Sequence, residues 1–152
     1  MANILFGGPQ EKERGKPSPI HDDLVARLKQ EGHEVNYVVR GDEMMRGLTA
    51  TKNPMNPVEY DLVLYDTGLF YYKAELRKRI ESFKDYVIDY LNLAQAPVIV
   101  LADGEIAEKI RRLIQNVGFK QINKPYKIDD VVRAVDHSLS GEPFFSSSAS
   151  LV

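Results

Sequence analysis

Hydrophobic and polar positions alternate along this chain in a pattern that predicts strands and helices in turn. Short apolar runs are typical of buried strands, and five of them occur. Between these runs, apolar residues recur at every third or fourth position, which is the spacing of amphipathic helices. The predicted strands are Asn3–Phe6, Glu34–Arg40, Asp61–Tyr65, Pro97–Leu101 and Phe119–Ile122, and the predicted helices are His21–Gln30, Asp42–Ala50, Lys73–Asn92, Glu105–Asn116 and Ile128–Leu139.

Five successive strand–helix units predict an α/β fold in which a parallel sheet is covered by helices on both faces. We expect a doubly wound, five-stranded, flavodoxin-like sheet with the strand order 2-1-3-4-5. In that order the carboxyl ends of the first, third and fifth strands surround one crevice, where ligands of such sheets gather.

Turn-forming residues mark the segments that lie outside these elements. Residues Pro9–Pro19 carry three prolines and are expected to form a loop, and Thr51–Pro57 is a second break. A chain of 152 residues is long enough for one hydrophobic core. We therefore expect residues 1–140 to form one domain and residues 141–152 to be a flexible Ser-rich tail or linker stub.

Composition excludes several classes of function. Hydrophobic residues make up 43% of the chain, charged residues 28%, and the net charge is −2, so no basic surface for nucleic acid is expected. The chain has no cysteine, which excludes a thiolate nucleophile and a cysteine-ligated zinc site. Its apolar runs are shorter than the roughly 18 residues of a spanning helix. We expect a cytoplasmic protein that does not bind membranes.

Two charged residues stand at the predicted ends of buried strands. The segment YDLVLYD, Tyr60–Asp66, ends on the carboxylate of Asp66, and the segment Phe119–Ile122 is followed by Lys124-Pro125. Because the carboxyl ends of parallel strands lie at one edge of a sheet, we expect the Asp66 and Lys124 side chains to meet.

Three segments and the spacing between them carry a resemblance to a known family: Tyr60–Asp66, the segment APVIVL at Ala96–Leu101, and Lys124-Pro125. In these features the chain resembles the receiver domain of two-component response regulators. The resemblance covers about residues 3–139. It implies that Asp66 is the phosphoacceptor, that Lys124 holds the phosphoryl oxygens, and that Lys124-Pro125 has a cis peptide bond. It also implies further binding positions around this pair, namely Gly7, Gly8, Thr67, Gly68, Ala102 and Pro125.

The chain departs from the receiver pattern at several functional positions. The two acidic residues that organise Mg²⁺ in receivers are replaced by Gly7-Gly8, the switch Ser/Thr by Ala102 and the switch aromatic by Gln121. The usual Met-Pro step after the phosphoacceptor reads Gly68-Leu69-Phe70. With Asp66 as a single weak ligand, Mg²⁺ is a doubtful cofactor unless Asp103 or the long first loop supplies oxygen ligands. No other cofactor is expected.

Other polar signals leave two interpretations open. Gly7-Gly8 is a strand exit or a backbone cradle for phosphate, although it matches neither common nucleotide-binding pattern. Phe70, Tyr71 and Tyr72 either contact a partner or pack over the sheet end. The remaining candidates have ordinary structural interpretations: Asp22 and Asp23 as helix-start charges, Lys109, Arg111 and Arg112 as a solvated face or docking site, and His21, His33 and His137 as surface or cap residues without metal spacing.

Together these patterns predict an atypical receiver-like signalling module rather than an enzyme. We expect it to act through protein–protein interaction with a histidine kinase or an output domain, with a homodimer as a further option. A direct ion pair between Asp66 and Lys124 is the expected resting arrangement. Two alternatives remain: a small-ligand or nucleotide-binding protein or enzyme on the same fold, and a fully competent Mg²⁺-dependent phosphoreceiver.

Overall fold

The structure is a computed structural model, and it describes residues 2–8, 10–11, 16–17, 19–71, 75–102 and 104–141. In chain order its strands are β1 (Asn3–Gly7), β2 (Gln10–Glu11), β3 (Lys16–Pro17), β4 (Glu34–Val38), β5 (Leu62–Asp66), β6 (Val98–Ala102) and β7 (Lys120–Asn123). Its helices are α1 (Pro19–Gln30), α2 (Gly41–Ala50), α3 (Gly68–Tyr71), α4 (Leu76–Ser82), α5 (Ile88–Asn92), α6 (Gly104–Val117) and α7 (Ile128–Ser140), and a π turn, Phe83–Val87, joins α4 to α5.

Five strands form one parallel sheet in the order β4-β1-β5-β6-β7. Counted along the parallel strands alone, this is the predicted order 2-1-3-4-5. The α/β, doubly wound, flavodoxin-like prediction is confirmed, and the predicted elements are all present with ends that shift by a few residues. Such shifts are ordinary because helix and strand ends fray.

The segment between β1 and α1 differs from the predicted loop. Within it β2 and β3 pair antiparallel, with Gln10 opposite Pro17 and Glu11 opposite Lys16. Helix α1 then begins at Pro19, earlier than predicted, since the fixed φ of proline suits the first helical position.

Side chains alternate between the two faces of the sheet and build one apolar layer on each side. On β5, Val63 and Tyr65 pack with α2, α5 and α6, whereas Leu62 and Leu64 pack with α1 and α7. All four are at most 1% exposed, because this strand is central in the sheet. The alternation therefore directs the next even-numbered residue, Asp66, toward the α1–α7 side.

Among the described residues, no helix is both long enough and apolar enough to cross a membrane. Of the predicted tail, residues 141–152, the part from 142 to 152 lies outside the described residues, as do Asp103 and Tyr72.

Candidate functional site

The candidate site lies where β1, β5 and β7 end. Gly7, the last residue of β1, pairs with Tyr65 of β5, so Gly8 and Asp66 leave the sheet side by side. Lys124 follows β7, and its backbone N–H donates to the Ala102 carbonyl of β6 at 2.7 Å. The Lys124–Pro125 peptide bond is cis, as predicted.

Asp66 is completely buried, and both of its carboxylate oxygens have partners. Oδ1 accepts a hydrogen bond from the Gly68 backbone N–H at 2.8 Å. Oδ2 lies 2.5 Å from Lys124 Nζ and 2.9 Å from His21 Nε2. The predicted contact between Asp66 and Lys124 is present, and His21 is a third member of the site that we did not predict.

His21 is not the surface or cap residue that we expected. It is 1% exposed, and its ring packs edge-on against Phe6 with centroids 5.1 Å apart. Its Nδ1 lies 2.9 Å from the Tyr37 hydroxyl of β4. The chain did carry a signal for this burial: His21 shares the helical spacing of Leu24 and Leu28, which are both fully buried.

Charge and burial act together on the ionisable groups of the site. Burial by itself raises the pKa of Asp66, but the hydrogen bond from His21 and the charge of Lys124 outweigh it, so this pKa lies below its ordinary value. Burial, and next the charge of Asp66, raise the pKa of the Tyr37 and Tyr126 hydroxyls. In the neutral tautomer with its hydrogen on Nε2, His21 donates to Asp66 Oδ2 and accepts the Tyr37 hydroxyl hydrogen at Nδ1.

The two glycines after β1 leave room for neighbouring side chains. A Cβ atom on Gly8 would lie 2.6 Å from Nδ1 and 2.7 Å from Cε1 of His21. A Cβ atom on Gly7 would lie 2.7 Å from both Leu69 Cδ2 and Met44 Sδ. The His21 ring therefore fills the space above Gly8, on the side of the sheet where Asp66 lies, whereas Leu69 and Met44 fill the space above Gly7 on the other side.

The residues at this site do not suit a divalent cation. Mg²⁺ needs several oxygen ligands in octahedral geometry, but Asp66 Oδ2 faces an ammonium and an imidazole N–H. In the part of the chain that the structure describes, no three His, Asp or Glu side chains are grouped as a metal site would require. Asp22 and Asp23 are exposed, and Asp22 lies in the first turn of α1, as its helix-start interpretation predicted.

The other predicted site residues lie around this centre. Thr67 is 2% exposed and its N–H donates to the Leu101 carbonyl at 3.1 Å, Ala102 is fully buried, and Pro125 is exposed. Gln121 of β7 is 8% exposed. Its Nε2 donates to the Ala107 carbonyl of α6 at 2.9 Å and to Asn123 Oδ1 at 2.7 Å.

A cavity of about 510 Å³ lies at the opposite end of the sheet. Its lining includes Ala2 before β1, Asp61 before β5 and Pro97 before β6, together with His33 and the end of α7. Gly7 and Gly8 take no part in it. It therefore does not correspond to the predicted phosphate cradle.

Comparisons with known proteins agree with the geometry of the fold. No protein-family model matches the chain, and no curated protein matches it by sequence. Among solved structures, the regulatory domain of the repressor of iron transport regulator (RitR) in its inactive form is 20% identical with a TM-score of 0.61, covering 95% of this chain and 100% of that one. The receiver domain of Francisella response regulator 1452 is 15% identical with a TM-score of 0.61, covering 93% and 98%.

A further similar structure belongs to a group described as streptococcal redox sensors that evolved from two-component response regulators. It is 20% identical with a TM-score of 0.59, and the match covers 93% of this chain but 52% of that one, so this chain spans about half its length. These identities are low, while the topology, the cis peptide bond and the strand-end Asp66–Lys124 pair coincide with the pattern read from the sequence. The chain has the fold of a response-regulator receiver domain.

Proposed function

We propose that this chain is an atypical receiver-like signalling module that acts through protein–protein interaction, with Asp66 held in a closed ion-pair network at rest. The observation that carries the proposal is the double contact of Asp66 Oδ2 with Lys124 and His21. An aspartate that accepts a phosphoryl group needs a free oxygen as nucleophile, in line with the leaving group, and cations around the transferred group.

Access to this carboxylate is poor in the observed arrangement. Asp66 is fully buried, and the His21 ring fills the space above Gly8 from which a phosphodonor and its cation would approach. Withdrawing one partner from a buried ion pair costs several kcal/mol when the remaining charge has no substitute. Phosphorylation would therefore have to displace both His21 and Lys124 before Oδ2 could attack.

The same network supports a binding role over an enzymatic one. His21 and Lys124 both direct their polar hydrogens at Asp66, so these groups are engaged with each other rather than with an incoming substrate. We propose a histidine kinase or an output domain as the partner, in the cytoplasm, and a homodimer as a further assembly. Sedimentation analysis over a wide concentration range tests the homodimer.

The test of the closed site is an NMR titration of the ¹⁵N-labelled chain with Mg²⁺ and beryllofluoride, followed by mass spectrometry after incubation with acetyl phosphate. We expect the Asp66, Gly68 and Lys124 amide signals to stay in place and no phosphoryl adduct to form. The matched control is Asp66→Asn, which cannot be phosphorylated at this position and should give the same result.

Saturable shifts around Asp66 in the native chain, absent from Asp66→Asn, would identify a competent phosphoreceiver and refute the closed-site proposal. An adduct on Asp66 would have the same meaning. A shift pattern confined to the cavity at the other end of the sheet would instead favour the ligand-binding alternative.

A further inference from the structure

We propose that a change at Asp66 is transmitted to the surface through His21 and Tyr37, at α1 and the edge strand β4, and not through α6. This inference deepens the proposed function, since it assigns the responding face of the closed site. It follows from a difference in stiffness between the two partners of Asp66 Oδ2.

Lys124 is the compliant partner. Its side chain is 24% exposed, and its flexible stem lets the ammonium turn toward water if the carboxylate charge is lost. Its backbone is meanwhile fixed by the 2.7 Å hydrogen bond to the Ala102 carbonyl. A rotation of the Lys124 side chain therefore requires no movement of the β7 backbone.

His21 is the stiff partner. Its ring has only two rotatable bonds, is 1% exposed, and touches the Phe6 and Tyr37 rings at centroid distances of 5.1 and 5.9 Å. Both ring nitrogens are engaged, Nε2 with Asp66 and Nδ1 with the Tyr37 hydroxyl. The ring cannot reach water without a shift of α1, so a change in its bond to Asp66 must reach Tyr37 or the start of α1.

Among the described residues, two features oppose transmission in the other direction, toward α6. The side chain of Ala102, at the end of β6, has no polar group to respond to Asp66. Gln121 is buried and uses its amide nitrogen for both the Ala107 carbonyl and Asn123 Oδ1. Turning Gln121 would leave buried polar groups without partners, which costs about 1–3 kcal/mol for each group.

The face that receives the change is an open edge of the sheet. Strand β4 is the outermost strand on the β1 side, and Tyr37 on it is half-buried, with its neighbour Asn36 exposed. A shift of the Tyr37 ring therefore changes the protein surface at this edge of the sheet.

Amide hydrogen exchange of the full chain, native and Asp66→Asn, tests the inference. Asparagine keeps the shape of Asp66 but removes its charge. We expect exchange between Leu24 and Leu28 of α1 to accelerate about tenfold and the Tyr37 ring signals to shift, because local opening follows the loss of the charged hydrogen bond. Exchange between Ile106 and Ile114 of α6 should change by less than about threefold, since Gln121 keeps its bonds.

Two further variants separate transmission from general destabilisation. Lys124→Met removes the compliant partner, and any acceleration of exchange that it causes through lost stability should be the same in α1 and α6. His21→Gln removes the stiff partner, and adding Asp66→Asn to it should then move the Tyr37 ring signals no further.

In Asp66→Asn, faster exchange in α6 with α1 unchanged would overturn the inference, as would equal acceleration throughout the chain or an undiminished Tyr37 response in the double variant. These readouts use neither Mg²⁺ nor a phosphodonor. Failure here therefore leaves the closed-site proposal standing, and failure of that proposal is registered by a different experiment.

Discussion

The imidazole of His21 occupies the space that any side chain on Gly8 would need. A Cβ atom at position 8 would come within 2.6 Å of Nδ1, closer than such atoms approach in folded proteins. The packing of His21, which lies in the first turn of α1, therefore depends on the absence of a side chain at Gly8. Glycine at position 8 thus makes room for the side chain that lies beside Asp66.

Gly8→Ala should be destabilising for this reason. The added methyl must displace the His21 ring, and overpacking of a filled interior costs about 1–3 kcal/mol. Urea unfolding of Gly8→Ala, His21→Ala and the double variant measures the coupling. We expect the alanine at position 8 to cost much less once the ring is gone, and strictly additive losses would show that the two residues do not interact.

His21→Ala should lower the free energy of unfolding by about 2–3 kcal/mol, because it removes a buried ring and one partner of a buried carboxylate. His33→Ala is the matched control. His33 lies at the other end of the sheet, and its Nδ1 accepts one hydrogen bond from the Ala2 N–H at 3.2 Å. A loss no larger for His21→Ala than for His33→Ala in chemical denaturation would contradict the central position given to His21.

Lys124→Met should cost about 1–3 kcal/mol, below the 3–5 kcal/mol of a fully buried pair, because Lys124 is partly exposed and His21 remains as a partner of Asp66. Glu81→Ala provides the contrast. This substitution breaks the ion pair between Glu81 and Arg77, whose side chains are 57% and 87% exposed, respectively. Exposed ion pairs contribute about 0.2–1 kcal/mol at most. Equal losses for the two variants would mean that burial does not strengthen the Asp66–Lys124 pair.

Stability should depend on Asp66 in acid. The pKa of Asp66 is lower in the folded chain than the ordinary value of about 3.9, so the unfolded chain binds the proton first as the pH falls. The stabilisation is complete above that ordinary value and is lost as the pH falls through the folded value. Unfolding free energies of the native chain and Asp66→Asn should therefore converge below about pH 4. If the unfolding free energies of the two proteins ran parallel as a function of pH, the pKa of Asp66 would not be lower in the folded chain than in the unfolded chain.

The fold was predictable because its core obeys simple periodicity. The runs Val98–Ala102 and Leu62–Asp66 are buried along their whole length, as continuous apolar strands of a parallel sheet should be. Helix α6 buries Ile106, Ile110 and Ile114 at a spacing of four. These are local signals that survive in a single sequence.

The site was predictable only in part, because its third member comes from a distant element. Asp66 and Lys124 were identified by their places after strands, and the strand order then brings them together. His21 reaches Asp66 because the alternation of side chains along β5 points this carboxylate toward α1. To predict this contact, one must know which face of the sheet α1 covers and which face Asp66 points to. Its helical spacing with Leu24 and Leu28 was visible, but a polar residue on an apolar face has no stated partner until the fold is assembled.

Because it contains the π turn Phe83–Val87, the helical segment between Leu76 and Asn92 can lose one residue and remain helical. A π turn holds one residue more than an α-helical turn, so removing one residue there can leave a regular helix with both halves still facing the sheet. Lys84, Asp85 and Tyr86 are all exposed in this turn, so the deletion of one of them disturbs the interior little. Related chains one residue shorter at this point can thus keep the same core, and alignments of this segment should place a gap there rather than shift the inward-facing positions on either side.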